Sequence, residues 1–212
     1  MDKTVQPRKA VCLTAWQKWL AHVEDWKECQ RCDLCAQRDR IVLARGSIPC
    51  DVLFVGEAPG ASENVIGQPF VGPAGILLDQ IVAQSVPPSL KWAMTNLVAC
   101  YPQEAKEAKT NEPEDSEILS CRPRLKQFID ICQPKLIVTV GKLADKWLPT
   151  DARNYSLAVT LGSDPVLCHV VTITHPAAIL RMPLVQRDFA VQKSIVTIAT
   201  AVDSLEATCS RP

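Results

Sequence analysis

The stretch DVLFVGEAPGASENVIGQPFVGPAG (51–75) decides the fold. It opens with DVLFVG (51–56), an apolar run ending in glycine that predicts a buried β-strand. Similar runs recur further along the chain, in AMTNLV (93–98), KLIVTVG (135–141) and VLCHVVTIT (166–174). Helical patterns lie between and after these strands, at 73–85, 114–132, 142–148 and 184–206. This alternation predicts an α/β fold, a three-layer α/β/α sandwich around a central, mostly parallel four-stranded sheet.

An amphipathic helix and a cysteine-rich loop precede this α/β core. The helix is predicted over 12–28, where apolar residues recur at helical spacing: Leu13, Trp16, Leu20, Val23 and Trp26. The loop CQRCDLCAQR (29–38) follows it. A length of 212 residues fits one domain. We therefore expect a single domain over 1–212, with the helix and loop in 1–50 and the α/β core in 51–212.

The formal net charge of the chain is zero, whereas tight, non-specific nucleic-acid binders are usually basic overall. Charge is nevertheless uneven along the sequence. One group is basic: Arg31, Arg38, Arg40 and Arg45. Another group is acidic: Glu112, Glu114, Asp115 and Glu117. The basic group fits either contacts with phosphates or a solvated surface of mixed charge.

The sequence gives no sign of a membrane protein or of a secretory leader. Apolar residues make up 47% of the chain, yet no apolar run is long enough to span a bilayer. The first residues, MDKTVQPRKAV (1–11), lack the apolar region of a signal peptide. We expect a cytoplasmic protein without membrane contacts.

Ten cysteines are many for a cytoplasmic protein, where disulfides are rare. Ligation of a metal or cluster by some of them is the better explanation, with the others acting as small buried apolar residues. The pair Cys29 and Cys32 has ligand spacing that suits an iron–sulfur cluster or half of a zinc site. Cys35 has the same spacing from Cys32 and competes for that role.

The polar residues that follow the predicted strands meet at one edge of the sheet, because ligands of parallel sheets bind beyond the carboxyl ends of the strands. They are Asn96, His175 and the loop 56–75, which contains Glu57, Glu63 and Phe70. This loop is long for a strand-to-helix link, and its glycines and prolines make it tight and stiff. No Gly-Lys-Ser/Thr follows, which excludes a phosphate-binding P-loop. The loop is therefore predicted to form a rigid pocket wall.

Within that loop, GEAPG followed by a Glu and then G-x-PFVG-x-AG-x-LL resembles the first signature of family 4, the iron–sulfur type, of the uracil-DNA glycosylase superfamily. Four further motifs resemble that family in the correct order: CQRCDLCAQR (29–38), TNLVACYP (95–102), CRPRLKQFIDICQPKLIVTVG (121–141) and THPAAILR (174–181). The resemblance implies a monofunctional DNA N-glycosylase that hydrolyses the N-glycosidic bond of uracil for base-excision repair. Because Phe70 and Asn96 are both present, we expect single-stranded and mismatched duplex DNA as partners, and we expect a monomer.

Such an enzyme must take the base out of the stack, recognise its edge and stabilise the leaving anion. Phe70 is the candidate stacking platform, since an aromatic face accepts a flat base. The Asn96 amide offers one donor and one acceptor, so it can pair with O4 and N3–H of uracil. An N–H of His175 directed at O2 would stabilise the anion in the manner of an oxyanion hole. We assign His22 and His169, which have no supporting motif, to structure.

The resemblance assigns the two acids of the loop. Glu57 would orient water or stabilise the cationic sugar, and Glu63 would lie near the C5 edge of the base and help exclude a methyl group. Ala58 and Gly60 would complete the substrate-binding loop.

The segment 176–181 resembles the loop that enters DNA and fills the vacated stack. An apolar wedge can unstack a base step. The candidates for this intercalation are Ile179, Leu180 and Arg181.

By resemblance, four thiolates hold a 4Fe–4S cluster: Cys29, Cys32, Cys100 and Cys121. Leu34, two residues after Cys32, matches the family and favours this set over Cys35. The insertion EAKEAKTNEPED (104–115) lengthens the spacing between the last two ligands beyond the usual range. The cluster's expected role is structural. The expected non-ligands are Cys12, Cys50, Cys132, Cys168 and Cys209.

Three alternatives stay open. The family often has Asp where this chain has Asn64, and the insertion at 103–117 is also unusual; both leave room for a glycosylase of the same superfamily that acts on a different modified base. A non-catalytic DNA-binding or partner-binding module is disfavoured by the intact candidate site. A zinc-stabilised structural protein would differ from a cluster protein in visible absorbance. A variant that links to DNA through a histidine is also disfavoured, because 101–117 contain none.

Overall fold

The computed structural model describes residues 13–102, 112–148, 159–161, 164–166 and 168–209. The strands are β1 (Arg45–Gly46), β2 (Val52–Gly56), β3 (Trp92–Asn96), β4 (Leu136–Val140), β5 (Val159–Leu161), β6 (Asp164–Val166) and β7 (His169–Ile173). The α-helices are α1 (Ala15–Trp26), α2 (Ala61–Ile66), α3 (Pro73–Ser85), α4 (Asp115–Cys132), α5 (Lys142–Trp147), α6 (Pro176–Leu180) and α7 (Leu184–Cys209). A short 3-10 helix, Asp33–Ala36, lies in the cysteine-rich loop.

The central sheet has the order β1-β3-β2-β4-β7. The β2–β3, β2–β4 and β4–β7 pairs are parallel. Side chains of β2 alternate between its two faces. Leu53 and Val55 belong to an apolar cluster with α4 and α5, whereas Val52 and Phe54 belong to a second cluster with α3 and α7. The predicted three-layer α/β/α sandwich with a mostly parallel sheet is confirmed.

The sheet has five strands, so the expected count of four was one too low. The extra strand, β1, is antiparallel to β3 and pairs Arg45 with Met94 and Gly46 with Ala93. Two residues are too few to show an alternating pattern in the sequence. β5 and β6 form a separate antiparallel pair, so the fourth predicted strand begins at His169 and not at 166.

Two predicted loops contain helices. Within 56–75, α2 begins after Gly60, and Gly67, in a left-handed conformation, ends it. Within 176–181, α6 begins after His175, whose side chain accepts a hydrogen bond from the N–H of Ala177. Helices this short have too few turns to be recognised by apolar periodicity.

The N-terminal helix packs on α4 through aromatic residues. His22 is fully buried there, with its ring centroid 5.4 Å from that of Trp19 and 5.8 Å from that of Phe128. Its Nδ1 lies 3.1 Å from Gln127 Oε1. No helix in the described part of the chain has the length and apolar character that crossing a lipid bilayer demands.

Candidate active site

The predicted polar residues do follow neighbouring strands. β2 ends at Gly56 and β3 at Asn96, and the two residues are paired in the parallel register. β4 is followed by Gly141, which donates its N–H to the Ile173 carbonyl at the end of β7. His175 follows two residues later. The four strand ends that the sequence predicted to lie together therefore do so, at the carboxyl edge of the sheet.

Gly56 joins the candidate stacking ring to the candidate base-recognition amide. A Cβ at this position would overlap both Asn96 Oδ1 and Phe70 Cζ. The amide and the ring therefore lie against the same backbone atom, in space that only glycine leaves open. Asn96 is 2% exposed and Phe70 is 7% exposed. This is the arrangement expected for a flat base held by its face and its edge.

Arg45 holds the Phe70 backbone in a conformation that a bulky residue rarely adopts. The φ of Phe70 is 57°, in the left-handed region. Arg45 Nε donates to the Pro69 carbonyl at 2.8 Å, and Arg45 Nη2 donates to the Phe70 carbonyl at 3.1 Å. The same guanidinium forms a 2.6 Å ion pair with Asp79. These contacts occupy Arg45, so it positions Phe70 and is not available for phosphates; sequence reasoning missed this role, which no local motif signals.

Glu63 organises the backbone of the loop at the start of α2 and at the start of α3. Its Oε1 accepts from the N–H groups of Val71, at 2.9 Å, and Gly72, at 2.8 Å, and its Oε2 accepts from Gly60 N–H at 3.0 Å. The carboxylate thus caps α2 and ties it to the start of α3. Its predicted place near the C5 edge of the base stays a prediction. Ala58 packs against the apolar cluster beneath the loop.

Both polar groups of the Asn64 side chain form hydrogen bonds with Asp39. Its Nδ2 donates to Asp39 Oδ2 at 2.8 Å, and its Oδ1 accepts from Asp39 N–H at 2.9 Å. Asn64 is 3% exposed. The residue that departs from the family pattern therefore anchors α2 to the chain just after the cysteine-rich loop.

Gly141 brings the second pair of candidates together. Its φ is +101°, which L side chains rarely adopt. A Cβ there would lie 2.5 Å from Glu57 Oε1 and 3.2 Å from His175 Cβ. The carboxylate and the imidazole therefore flank one glycine, although they are far apart in sequence. The sequence placed Gly141 at this edge but gave no sign of its contacts.

The surroundings of His175 keep its ring neutral. Burial lowers the pKa of His175 to about 4, and the nearby cation of Arg181 acts in the same direction. Nδ1 accepts a hydrogen bond from the Ala177 N–H at 3.2 Å, so it carries no proton. The proton of the neutral ring is therefore on Nε2, which makes Nε2–H the available donor.

Glu57 has the opposite shift. Burial raises the pKa of Glu57, and the negative charge of Glu112 adds to this effect. A hydrogen bond from the Leu143 N–H and the cation of Arg181 oppose it. A carboxylate with a raised pKa next to a neutral imidazole is a suitable pair for orienting water and stabilising a leaving anion.

The candidate DNA-entry residues are not equally accessible. Ile179, on the inner face of α6, is fully buried. Leu180 is half-buried, and its carbonyl accepts from Arg187 Nη2 at 2.6 Å. Arg181 is exposed. Leu180 and Arg181 are therefore at least partly accessible, whereas Ile179 faces the core, because the segment folds as a helix with one face on the core.

The four predicted cysteine ligands line one pocket with Cys35 and three arginines. The pKa of Cys32 is raised to about 11, chiefly by burial and also by the charges of Cys100 and Cys121. The pKa of Cys100 is raised by burial, with added contributions from Cys121 and Cys29. The thiols of Cys29, Cys32, Cys100 and Cys121 are therefore close enough for their charges to interact.

This donor set fits a cluster of several irons. Buried thiols with raised pKa values ionise readily only when a bound cation stabilises the thiolates. Among the described residues, no three Cys, His, Asp or Glu side chains are arranged around a single metal ion. Four thiolates in one pocket are the donor type of both iron–sulfur clusters and structural zinc sites.

The other cysteines lie elsewhere. Cys50 and Cys132 are buried and hydrogen-bonded to each other, which together with burial raises the pKa of Cys132. Cys168 is buried in the same apolar cluster. Cys12, the side chain of Cys209 and most of the insertion, 103–111, lie outside the described residues.

Comparison with known proteins agrees with this geometry. Residues 43–196 match the family model of the Uracil DNA glycosylase superfamily. The Type-4 uracil-DNA glycosylase of Saccharolobus solfataricus is 35% identical over 59% of this chain and 56% of that protein. The one from Sulfurisphaera tokodaii is 37% identical over 59% and 55%. The one from Pyrobaculum aerophilum is 33% identical over 77% and 85%.

The aligned stretch spans little more than half of the Saccharolobus and Sulfurisphaera proteins, but most of the Pyrobaculum protein. The family model covers most of this chain, including both glycine-centred pairs. The resemblance predicted from five motifs is confirmed. This chain belongs to the uracil-DNA glycosylase superfamily, and within it to the type-4 uracil-DNA glycosylases.

Proposed function

We propose that this protein is a monofunctional DNA N-glycosylase that hydrolyses the N-glycosidic bond of uracil in DNA. The observation that carries the proposal is the convergence of two pairs at the sheet edge. Phe70 and Asn96 meet at Gly56, and Glu57 and His175 meet at Gly141. The first pair suits recognition of a base, and the second suits cleavage of its bond to the sugar.

Recognition begins when the nucleotide leaves the stack and enters the pocket. The uracil ring stacks on Phe70, a contact that contributes about 1–3 kcal/mol. The Asn96 amide then accepts from N3–H and donates to O4. Cytosine presents an acceptor at N3 and a donor at C4, so it opposes the amide in the same orientation. Arg45 contributes by keeping the Phe70 backbone in place.

Cleavage breaks the C1′–N1 bond, and the bonding electrons leave with the base. Negative charge develops on O2 of uracil, where His175 Nε2–H donates a hydrogen bond. Positive charge develops on the sugar, where the Glu57 carboxylate stabilises it. Glu57 also orients a water that attacks C1′ and loses a proton to the carboxylate. The products are free uracil and an abasic site.

Single-stranded DNA and mismatched duplexes are the proposed substrates, since their bases are the least costly to extrude. Leu180 and Arg181 would fill the space that the base vacates. We propose that the protein acts as a monomer in the cytoplasm.

The cysteine pocket is proposed to hold a 4Fe–4S cluster through Cys29, Cys32, Cys100 and Cys121. When bound, this group supplies a rigid cross-link and takes no part in the hydrolysis. It would connect the N-terminal loop, which carries Cys29 and Cys32, to Cys100 after β3 and to Cys121 on α4. Iron and sulfide analysis of anaerobically purified protein, with its visible spectrum, distinguishes the cluster from zinc.

The function is tested with oligonucleotides that carry one uracil, hypoxanthine, xanthine or modified cytosine. We expect abasic sites from the uracil substrates, in single strands and in mismatched duplexes. Excision of another base in preference to uracil would support the alternative glycosylase. Absence of any abasic product from protein with its full iron content would support a non-catalytic module.

Asn96→Ala and Asn64→Ala form a matched pair for this test, because both side chains are buried amides. Asn96→Ala removes a contact coupled to the transition state, so uracil excision should fall by more than about 10²-fold. Asn64→Ala removes the contact with Asp39 and should lower stability while keeping most of the excision rate. Equal rates for wild type and Asn96→Ala would show that another group recognises the base.

A further inference from the structure

Arg124 is a cation in the centre of the protein with no use in the proposed chemistry. It is fully buried on α4. None of the ion pairs in the described part of the chain includes it. Its Nε is buried and has no hydrogen-bond partner among the described residues. A buried cation without a counter-charge is strongly disfavoured, so its presence demands an explanation.

The cysteine pocket can supply the counter-charge. Arg124 lines this pocket together with the four candidate ligands. It lies three residues after Cys121 on α4, which puts both side chains on the same face of the helix. Four thiolates carry more negative charge than a 4Fe–4S core carries positive charge, so the loaded pocket is anionic. Arg38 also faces it, with Nη1 3.4 Å from Cys100 Sγ, but Arg38 is only part-buried.

The other side of the guanidinium holds the end of β3. Arg124 Nη1 donates to Thr95 Oγ1 at 3.0 Å, and Nη2 donates to the carbonyls of Asn96 and Leu97, the latter at 3.2 Å. These carbonyls lie where the chain leaves the sheet, and Arg124 provides the donors that a neighbouring strand no longer supplies. The Asn96 carbonyl is therefore held by one buried side chain, in addition to the pairing of Asn96 with Gly56 in the sheet.

We infer that Arg124 is a positioning residue that links the two sites: its charge is balanced by the thiolates of the cysteine pocket, and its planar fork sets the orientation of Asn96 toward uracil. The inference rests on the proposed function, since it deepens the part played by Asn96 and by the pocket. A Lys at this position would keep the charge but not the fork of donors.

Three variants of the holoenzyme separate these two roles. Arg124→Lys keeps the charge, Arg124→Met removes both charge and donors, and Arg122→Met removes an exposed arginine from the same helix. For each, the reduction potential is measured by redox titration followed in the visible spectrum. The single-turnover rate of uracil release is measured on the same samples.

The reduction potential measures the effect of the Arg124 charge on the cluster. Arg124→Met should make it more negative than Arg122→Met does, because a buried cation next to the cluster favours the added electron and an exposed one is screened by solvent. Arg124→Lys should leave it close to the wild-type value. Equal shifts for Arg124→Met and Arg122→Met would overturn the electrostatic part of the inference.

The rate of uracil release measures the effect of the hydrogen bonds that the Arg124 guanidinium donates to the end of β3. Both Arg124 variants should lower uracil release by roughly 10- to 100-fold, the effect of a small misplacement of a recognition group. In the Asn96→Ala background, Arg124→Lys should cause no further loss. A wild-type rate in Arg124→Lys, or an undiminished loss in the Asn96→Ala background, would overturn the positioning role.

Misfolding of a variant, a general loss of stability and failure of the proposed function each give a different result from failure of the inference. If Arg124→Met does not fold, Arg124→Lys still decides the matter through a lowered rate at an unchanged potential. A general loss of stability would reduce the amount of holoenzyme without moving its potential. Wild-type holoenzyme that releases no uracil would overturn the proposed function, whereas the comparison of potentials would still test the charge of Arg124.

Discussion

Gly141→Ala should separate Glu57 from His175 and thereby slow catalysis in a folded protein. The added Cβ would lie 2.5 Å from Glu57 Oε1, and an ordinary contact requires about 3.5 Å. The carboxylate must therefore retreat by about 1 Å, because the backbone of Gly141 is fixed by its hydrogen bond to Ile173. A displacement of this size at a reacting group costs on the order of 10²-fold in rate. Single-turnover excision of uracil measures this loss directly.

Gly67→Ala is the matched control, because Gly67 also has a positive φ, of +83°. A Cβ there would meet only the Arg40 side chain, at 3.2 Å. Both variants should lose about 1–3 kcal/mol of stability from backbone strain, but only Gly141→Ala should lose excision. In a Glu57→Ala background, Gly141→Ala should cost little more. Equal excision by the two glycine variants, or a full loss in that background, would refute the reasoning.

Three further predictions follow from the charges and contacts of the site. Burial raises the pKa of Glu57 and lowers that of His175 to about 4. Protonation of Glu57 should therefore lower kcat/KM in a single step above pH 4.5 as the pH falls, and Glu57→Gln should remove that step. A pH profile with a step only below 4.5 would contradict this. Arg45→Met removes charge-assisted hydrogen bonds to the backbone carbonyls of Pro69 and Phe70. It should lower the free energy of unfolding, measured with urea, by about 2 kcal/mol or more and should weaken uracil binding. Unchanged uracil binding would mean that Phe70 keeps its conformation without Arg45. Burial lowers the pKa of His22 from 6.5 to about 4 in the folded state. The contribution of neutral His22 to the free energy of unfolding is therefore complete above pH 6.5, and about 3 kcal/mol of it is lost as the pH falls to 4. Denaturant unfolding should show a smaller loss in His22→Gln, and an equal loss would contradict this prediction.

The layers of the fold were predictable because buried parallel strands are continuous apolar runs, and those of β2 and β4 each end at a glycine. The helices α3 and α4 were found within a residue of their true bounds, since both have apolar faces long enough to show a period. β1, α2 and α6 could not be found in this way. They are too short to show a period, and tertiary contacts form them, such as the three backbone N–H groups that converge on Glu63.

The candidate site was predictable as a set of residues but not as an arrangement. The rule that parallel strands present ligands at their carboxyl ends brought Asn96 and His175 to one edge. It could not show that Gly56 and Gly141 sort the site into two pairs. It also could not show that Arg45 and Arg124 turn inward, because an arginine that binds backbone carbonyls has the same sequence appearance as one that binds phosphate.

The most direct test of the account is a structure of the holoenzyme with free uracil bound. We expect the ring to stack on Phe70, O4 and N3–H to pair with the Asn96 amide, and O2 to face His175 Nε2, with Glu57 on the side where the sugar would be attached. Uracil bound away from Phe70, or bound there with its O4 edge turned from Asn96, would contradict the account.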